Sequence, residues 1–495
     1  MLNYRYSNVH EDGDTYTDNT YYLVPEKNQL IDQTANNRRK THNLTGRISW
    51  TEPLGDVKKA RFLELSYRGN YRYTLSDKMV YDNTRSGVWP SGTITDQEWN
   101  ERLSNSFRNT FFNQEFSVGF RQVRKAYNLN VGISVNSAMS KSKDLINSAR
   151  DIPERWAWSV APYARFRYKF TETRNLNFNY RMRASQPSIT QLQPVADESN
   201  PLNIVIGNPE LKPTFTHNIN LRFGDFAQGA QRSIMAMMNV DFAQNSIIST
   251  TTFDELTGGR TTSYMNVNGV WNAMAMNMLS FPFGPTKVWY FTSHMFARYS
   301  VTKGVNDNVE NRSNTLNLNY SPGLAFRNSV FDIELRPRYG FQTTSNTVTV
   351  ANNRNVHTWG GMFNGTYSAP FGLVVSTDLS YSTTSGYSSG YNTKQWIWNG
   401  SLAYQFLSEK QAAVTISVYD ILGQRKNVFR NVTANYIEDA IYNSLGRYGM
   451  LTFTYRFNTF KKGEQPKDRN DDFRGPGRGR FGPPGGRPPG GRPPF

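Results

Sequence analysis

From Asn175 to Phe226 the chain alternates large apolar residues with asparagine, threonine and arginine, and the arginines decide what that alternation can mean. Leu176, Phe178, Tyr180 and Met182 fall on one beat, with Asn177, Asn179, Arg181 and Arg183 on the other. After an interval, Phe215, Ile219, Leu221 and Phe223 alternate with Thr216, Asn218, Asn220 and Arg222. A period of two is that of a strand, whose successive side chains point to opposite faces. Arginines cannot sit against a dry packed core, and a row of large apolar groups cannot face water. A strand that is greasy outward and charged inward fits a transmembrane β-barrel with a wet lumen. Between the two flanks runs a loop rich in proline, glycine and asparagine, Gln186 to Pro213.

The same alternation recurs along the chain. Leu63, Leu65, Tyr67, Tyr71 and Tyr73 interleave with Glu64, Ser66, Arg68, Asn70 and Arg72; Phe331, Ile333, Leu335, Tyr339 and Phe341 oppose Asp332, Glu334, Arg336 and Arg338. Pattern matching yields roughly seventeen such segments after residue 40. The run Met265 to Met278 is the least regular, and a β-bulge is expected there. Only 37% of residues are hydrophobic and mean hydropathy is −0.63, values of a soluble or partly disordered chain, yet 14% are aromatic. Disordered chains are poor in aromatics. A membrane barrel reconciles the two, because half of each strand and most of each loop is polar. No apolar run approaches the roughly 20 residues of a membrane helix; the nearest, Val270 to Phe283, is broken by Asn272 and Asn277. With no cysteine, thiol catalysis, disulfides and Cys-ligated zinc are excluded. The net charge of +17 admits nucleic acid, anionic lipid or an anionic ligand as partner.

Connections between the segments alternate in length. Short turns are expected near 53–58, 122–125, 171–174, 224–231, 282–286, 327–329, 368–372 and 407–411. Long polar loops are expected near 76–105, 140–154, 185–212, 249–260, 302–311, 343–353, 383–394 and 420–446. Outer-membrane barrels have short periplasmic turns and long outer loops, which puts the C-terminus on the periplasmic side. At the start, Leu2, Tyr4 and Tyr6 give a strand pattern of about five residues against the 9–11 that a membrane strand requires. Residues 1–39 therefore read as a partial strand and outer loop, 40–460 as the barrel, and 461–495 as a disordered Arg/Gly/Pro-rich tail with nothing to bury. Such a tail is either an RNA-binding segment or a flexible periplasmic extension; the barrel before it favours the second.

Several blocks carry a family resemblance. Tyr180-Arg181 through Gln186-Pro187-Ser188, then Gln191-Leu192-Gln193-Pro194, Asn200-Pro201-Leu202 and above all Gly207-Asn208-Pro209-Glu210-Leu211-Lys212-Pro213, resemble the outer-membrane β-barrel family of TonB-dependent receptors from the Bacteroidetes. So do Trp50-Thr51-Glu52-Pro53-Leu54-Gly55 and Asp420-Ile421-Leu422, and Leu451, Phe453, Tyr455 and Phe457 are similar to the aromatic-ended closing strand that the barrel-assembly machinery reads. The resemblance implies an all-β, antiparallel up-and-down barrel of roughly 22 strands around a plugged lumen. About seventeen and a half strands are expected here, so some four, and the plug, are expected to be missing. It also implies energised uptake of a scarce solute through the outer membrane of a Gram-negative bacterium. The partners would be outer-membrane lipid and lipopolysaccharide, the assembly machinery, and the TonB complex acting through the missing plug. No cofactor, no nucleic acid and no covalent chemistry enter. The alternative is a passive porin-like channel, which needs a closed ring of even strand number and no plug.

Candidate sites follow from the pattern. Inward Arg181, Arg183 and Arg222, with Arg336 and Arg338, either attract an anionic ligand or only solvate the lumen and pair with Asp332 and Glu334. Tyr81, Trp89 and Trp99 either stack on a sugar or siderophore, or pack within their loop or at the lipid headgroups. Gly386-Tyr387-Ser388-Ser389-Gly390 matches a nucleophile elbow but tops a Ser/Thr-rich loop without the strand-to-helix turn the elbow needs. Gly477, Gly479 and Gly482 match a dinucleotide fingerprint without strand or helix around it. The histidines His10, His42, His217, His294 and His357 lack ligand spacing, and Asp12, Asp14 and Asp18 lack the glycine and distal glutamate of a calcium loop.

Overall fold

The computed structural model describes residues 1–456 except 57–58, 88, 90, 195, 198–199, 201, 228, 349–352, 387–391, 408–409, 426, 433–436 and 443–444. The expected tail at 461–495, Phe457 and the centre of the 386–390 motif lie outside the described residues. Among the described residues the chain is all-β, with 23 strands in one sheet and a separate pair, Asn427–Val432 with Ile437–Tyr442. No described helix is long and apolar enough to cross a membrane.

The long strands form one antiparallel meander. In order they are β1 (Leu2–Asn19), β2 (Gln29–Pro53), β3 (Arg61–Ser86), β4 (Asn105–Val123), β5 (Tyr127–Asp144) and β6 (Ile152–Lys169). Then come β7 (Arg174–Ser185), β8 (Thr214–Ala227), β9 (Arg232–Gln244), β10 (Val270–Phe283), β11 (Trp289–Asn306) and β12 (Val309–Arg327). Last are β13 (Phe331–Asn346), β14 (Arg354–Ser368), β15 (Leu373–Ser385), β16 (Thr393–Phe406), β17 (Ala412–Tyr419) and β18 (Tyr448–Tyr455). Each pairs with its sequence neighbour; the connections at one end are all short, and those at the other range from the two-residue turn Asp307–Asn308 to the long stretch 186–213. The register keeps like with like: Leu221 faces Phe178, Phe223 faces Leu176, and Asn220 faces Asn179. Directly opposed residues of antiparallel strands share a face, so the greasy row and the polar row each continue around the sheet. On the polar face, amides hydrogen-bond from strand to strand: Asn70 donates to Asn43 (2.7 Å) and Asn218 to Asn239 (2.8 Å).

Four features depart from the sequence reading. First, β1 is no five-residue stub: it pairs with β2 from Leu2–Gly46 to Asn19–Gln29, so most of the expected 7–39 loop is a β-ribbon. Beyond the lipid a ladder needs backbone bonds but no apolar beat, which is why the polar run 7–19 gave no strand signal. Second, the expected 76–105 loop holds the outer part of β3 and a strand, Thr93–Trp99, for the same reason. Third, the irregular run 265–278 contains a break rather than a bulge. Asn245 (φ 52°) and Gly269 (φ 87°) interrupt the two arms of one long hairpin at the same level. The lower arms pair as β9 with β10, while the upper arms, Ser246–Phe253 and Arg260–Val267, form their own hairpin. Fourth, the expected long loop at 302–311 is a two-residue turn, Asp307–Asn308, because the polar ladder of β11 and β12 runs on to Asn306–Val309. In keeping with the incomplete barrel read from the sequence, neither the outer edge of β1 nor that of β18 has a ladder partner among the described residues, so the sheet is not closed.

A conventional core is almost absent. The large apolar side chains, among them Ile48, Trp158, Trp359 and Phe453, point outward and are exposed. Three histidines sit on that outward face, each joined through Nδ1 to a tyrosine hydroxyl on the preceding strand: Tyr4–His42 (2.8 Å), Tyr180–His217 (3.0 Å) and Tyr339–His357 (3.0 Å). They lie on β2, β8 and β14, at matching distances from those strands' short-turn ends at Pro53, Ala227 and Ser368.

Candidate functional site: the lumen and its docked loop

The loop between β7 and β8 is the most specific block of the sequence, and it is anchored from several sides. A short strand within it, Asn203–Ile206, runs parallel to the upper hairpin arm Arg260–Val267. Asn208 donates to the Tyr264 carbonyl (2.9 Å), and Asn266 exchanges two hydrogen bonds with the backbone of Lys212 (2.8 and 3.0 Å). From β6, Arg155 donates to the Pro209 carbonyl (2.6 Å). Beneath the loop Leu192 and Leu211 bury against Ile152, with Ile247 and Tyr264 beside them, an apolar cluster outside the lipid-facing rows. Gly207 is required by close approach: a Cβ there would lie 2.2 Å from the Gln193 carbonyl oxygen and 2.6 Å from its nitrogen. The Gly207–Pro213 block thus fastens the loop, and the broken hairpin supplies the surface it fastens to.

The inner side of that loop, through Gln186, Ser188 and Gln193, lines a cavity of about 2220 Å³ that runs along the lumen wall of β2–β7. The wall is basic: eleven arginines and lysines line it against four aspartates and glutamates. Arg47, Arg68, Arg72, Arg165, Arg181 and Arg183 all contribute. Glu115 reaches Arg181 at 3.5 Å, and Glu64 is held by Arg121 (3.2 Å) and Asn130 (2.8 Å). Arg47 stands directly across the ladder from Arg68. Tyr163 lies flat along this wall, its hydroxyl over Gly119 and Gly132, where any side chain would displace it.

The expected site residues are not brought into one place. Arg181 and Arg183 line the cavity; Arg222 does not, and sits near Met235 Sδ (3.7 Å). None of the three aromatics lines it. Tyr81 and Trp99 are cross-strand partners in the ribbon above β3. Trp89 stacks on Tyr16 (5.4 Å, 9°), and the Arg85 guanidinium lies 4.7 Å from its ring centre. Arg85 is itself ion-paired with Asp32. Burial raises the Asp32 carboxyl, but hydrogen bonds from Arg85 and Asn83 and the Arg85 charge outweigh it and hold the group below its ordinary range. Trp89 is therefore engaged within its own ribbon. Arg47, Arg68, Arg72 and Arg165 were not singled out from the sequence, although each falls on the inward beat; the signal was there.

A family profile described as the outer membrane protein beta-barrel family matches residues 1–335 and 328–455. Among solved structures, the siderophore receptor PirA of Pseudomonas aeruginosa is 11% identical, with 85% of this chain and 74% of that one covered and a TM-score of 0.33. The FrpB iron transporter of Neisseria meningitidis is 11% identical, covering 92% and 81%, with a TM-score of 0.30. The ferric enterobactin receptor PfeA of Pseudomonas aeruginosa is 10% identical, covering 92% and 76%, with a TM-score of 0.36. At these scores the likeness says nothing of function. No curated protein matches the sequence.

Proposed function

This chain belongs to the outer membrane protein beta-barrel family, and from that premise we propose that it forms the barrel of a receptor for TonB-dependent uptake of a solute across the outer membrane. One observation carries the reading: a large wet cavity beneath a firmly docked loop, in a sheet whose two edges have no ladder partner among the described residues. An open edge in hydrocarbon leaves each backbone N–H and C=O unsatisfied, at several kcal/mol per group. A passive porin is a closed ring; a receptor barrel of roughly 22 strands has room for more strands between β18 and β1, and for a plug inside. The long loops, in this reading, face outward and the short turns face the periplasm, with the C-terminal strand ending there. The outer ribbon of β1–β3, with Tyr81 and Trp99, then meets solute before the lumen does.

The test is assembly. Residues 1–495 alone, exported behind a signal peptide, are expected to give no heat-modifiable gel band, whereas a polypeptide carrying additional upstream strands and a plug gives one. A stable heat-modifiable monomer from residues 1–495 alone overturns the receptor reading in favour of a passive channel. Topology is checked by protease on intact cells, which should cut within 186–213 and 420–446 and spare 53–58 and 407–411.

A further inference from the structure

We propose that the β2–β7 wall recognises a solute carrying several oxyanionic groups, phosphates or carboxylates; the inference rests on the receptor reading and names its substrate class. The argument begins with a charge imbalance. Arginine, whose planar fork matches carboxylate and phosphate, supplies ten of the eleven lining cations, and six of them (Arg47, Arg68, Arg72, Arg165, Arg181 and Arg183) stand on four strands. Glu64 and Glu115 are already engaged by Arg121 and Arg181, and Asp77 accepts from Ser106. For Arg47, Arg68, Arg165 and Arg183 no carboxylate stands within ion-pair distance among the described residues.

Placement sharpens this. Like charges directly opposed across a ladder are destabilising, yet Arg47 faces Arg68. A wall that only needed to be wet would do as well with the Asn, Ser and Thr used elsewhere in this lumen, so the opposed pair is a cost that a bound oxyanion relieves. Spacing speaks to the size of the solute. At a rise of about 3.3 Å per residue, Arg181 and Arg183 are about 6.6 Å apart along their strand, and Arg68 and Arg72 about 13 Å apart. One small anion cannot meet such a set; a solute with oxyanions several ångströms apart can. Low-dielectric walls concentrate the field of the set into the cavity.

The experiment is a calorimetric titration of tripolyphosphate, and of the neutral trisaccharide maltotriose, into the native protein extracted from its own outer membrane. Tripolyphosphate is expected to bind, at least tenfold more weakly when salt rises from about 20 to about 200 mM, since screening shortens the reach of exposed charges. Maltotriose is expected not to bind. The triple variant Arg68→Gln, Arg165→Gln, Arg183→Gln should lose at least tenfold in affinity, and Arg298→Gln, on the other side of the lumen, should lose none. Heat-modifiability of each variant checks its folding, and the salt series on the unaltered protein tests the proposal should the triple variant fail to assemble. Equal affinity for the two probes, salt-independent binding, or an unchanged triple variant overturns the proposal. A calcein-loaded, lipid-only control separates binding to co-extracted lipid, which leaves the Arg variants unchanged and counts against it. None of these outcomes bears on assembly, so failure here leaves the receptor reading to its own test.

Discussion

The lumen wall of β11–β13 and that of β2–β7 are built from the same alternating strands, but their charges end up in different states. On the first, Glu334 is buried and accepts from Thr292 (2.8 Å), with Arg336 at 3.1 Å and Arg327 at 3.6 Å. Arg327 also reaches Asp332 (3.4 Å) and lies 4.9 Å over the Tyr290 ring. The acids there are taken up by Arg327 and Arg336, while Arg338, expected to pair with Asp332 or Glu334, instead donates to Asn319 (3.2 Å). On the second, arginines outnumber carboxylates and line open space. A matched network holds strands together; an unmatched one is free to hold something else. Inward arginine in a barrel strand is thus two different things, and only its neighbours on adjacent strands say which.

The largest effect should come from breaking the matched wall. Glu334→Ala strands two guanidiniums in a buried site and should cost about 3–5 kcal/mol. Glu115→Ala, on the open wall, should cost no more than about 1 kcal/mol, because Arg181 stays hydrated. Urea unfolding of each variant in lipid vesicles measures both, and equal losses would erase the distinction. Next in size is a control on the outward faces of β8 and β15, two strands outside both walls, where the lipid-facing positions should not differ. Leu221→Arg and Leu379→Arg should each cost about 2–4 kcal/mol near mid-bilayer, while Asn220→Arg costs little. Equal destabilisation by Leu221→Arg and Asn220→Arg would show the face assignment to be inverted.

A smaller effect belongs to the loop above the open wall. Gly207→Ala forces the loop off Gln193 and should cost about 1–3 kcal/mol, seen as faster protease cutting between 186 and 213 on intact cells. The smallest is a pH effect at the short-turn rim, where Asp225 is buried between Arg174 (3.2 Å) and Arg232 (2.8 Å). Burial raises its carboxyl, but the Arg174 hydrogen bond and the charges of Arg232 and Arg174 outweigh it, so its folded pKa is depressed. Stability from this group is therefore full above the unfolded value near ~3.9. It is lost only as pH falls below that value through the folded one. Asp225→Asn should remove this acid-side slope and leave stability at neutral pH lower; a slope unchanged in the variant would assign the acid sensitivity elsewhere.

Much of this was legible because lipid and water impose a strict beat. Leu176 to Met182 could be assigned to a face from identity alone, and the register then had to pair them with Phe215 to Phe223. Where the chain leaves the lipid the beat stops, and the ribbon of β1 from Ser7 to Asn19 was invisible although its ladder is unbroken. The break at Asn245 and Gly269 was visible only as irregularity, because a residue in the left-handed region leaves the apolar pattern on either side intact. The site was half legible. Periodicity put Arg181 and Arg183 in the lumen, but which of the inward arginines meet an acid depends on strands far apart in sequence, as with Arg121 and Glu64. Trp89 shows the converse: the sequence left it either a platform for a ligand or packed within its surroundings, and the partner that decides, Tyr16, is remote in sequence.

The Tyr–His pairs on β2, β8 and β14 have a mechanical consequence. Rings with one apolar and one polar side settle at the boundary between hydrocarbon and headgroups. Three such grips at a single level, six strands apart each time, define a plane, as the feet of a tripod do. Pulling on anything inside the lumen exerts a torque on the wall, and a wall seated on one foot would rock. Seated on three, it transmits the pull to the bilayer as a vertical load, so the lumen keeps its heading while its contents move.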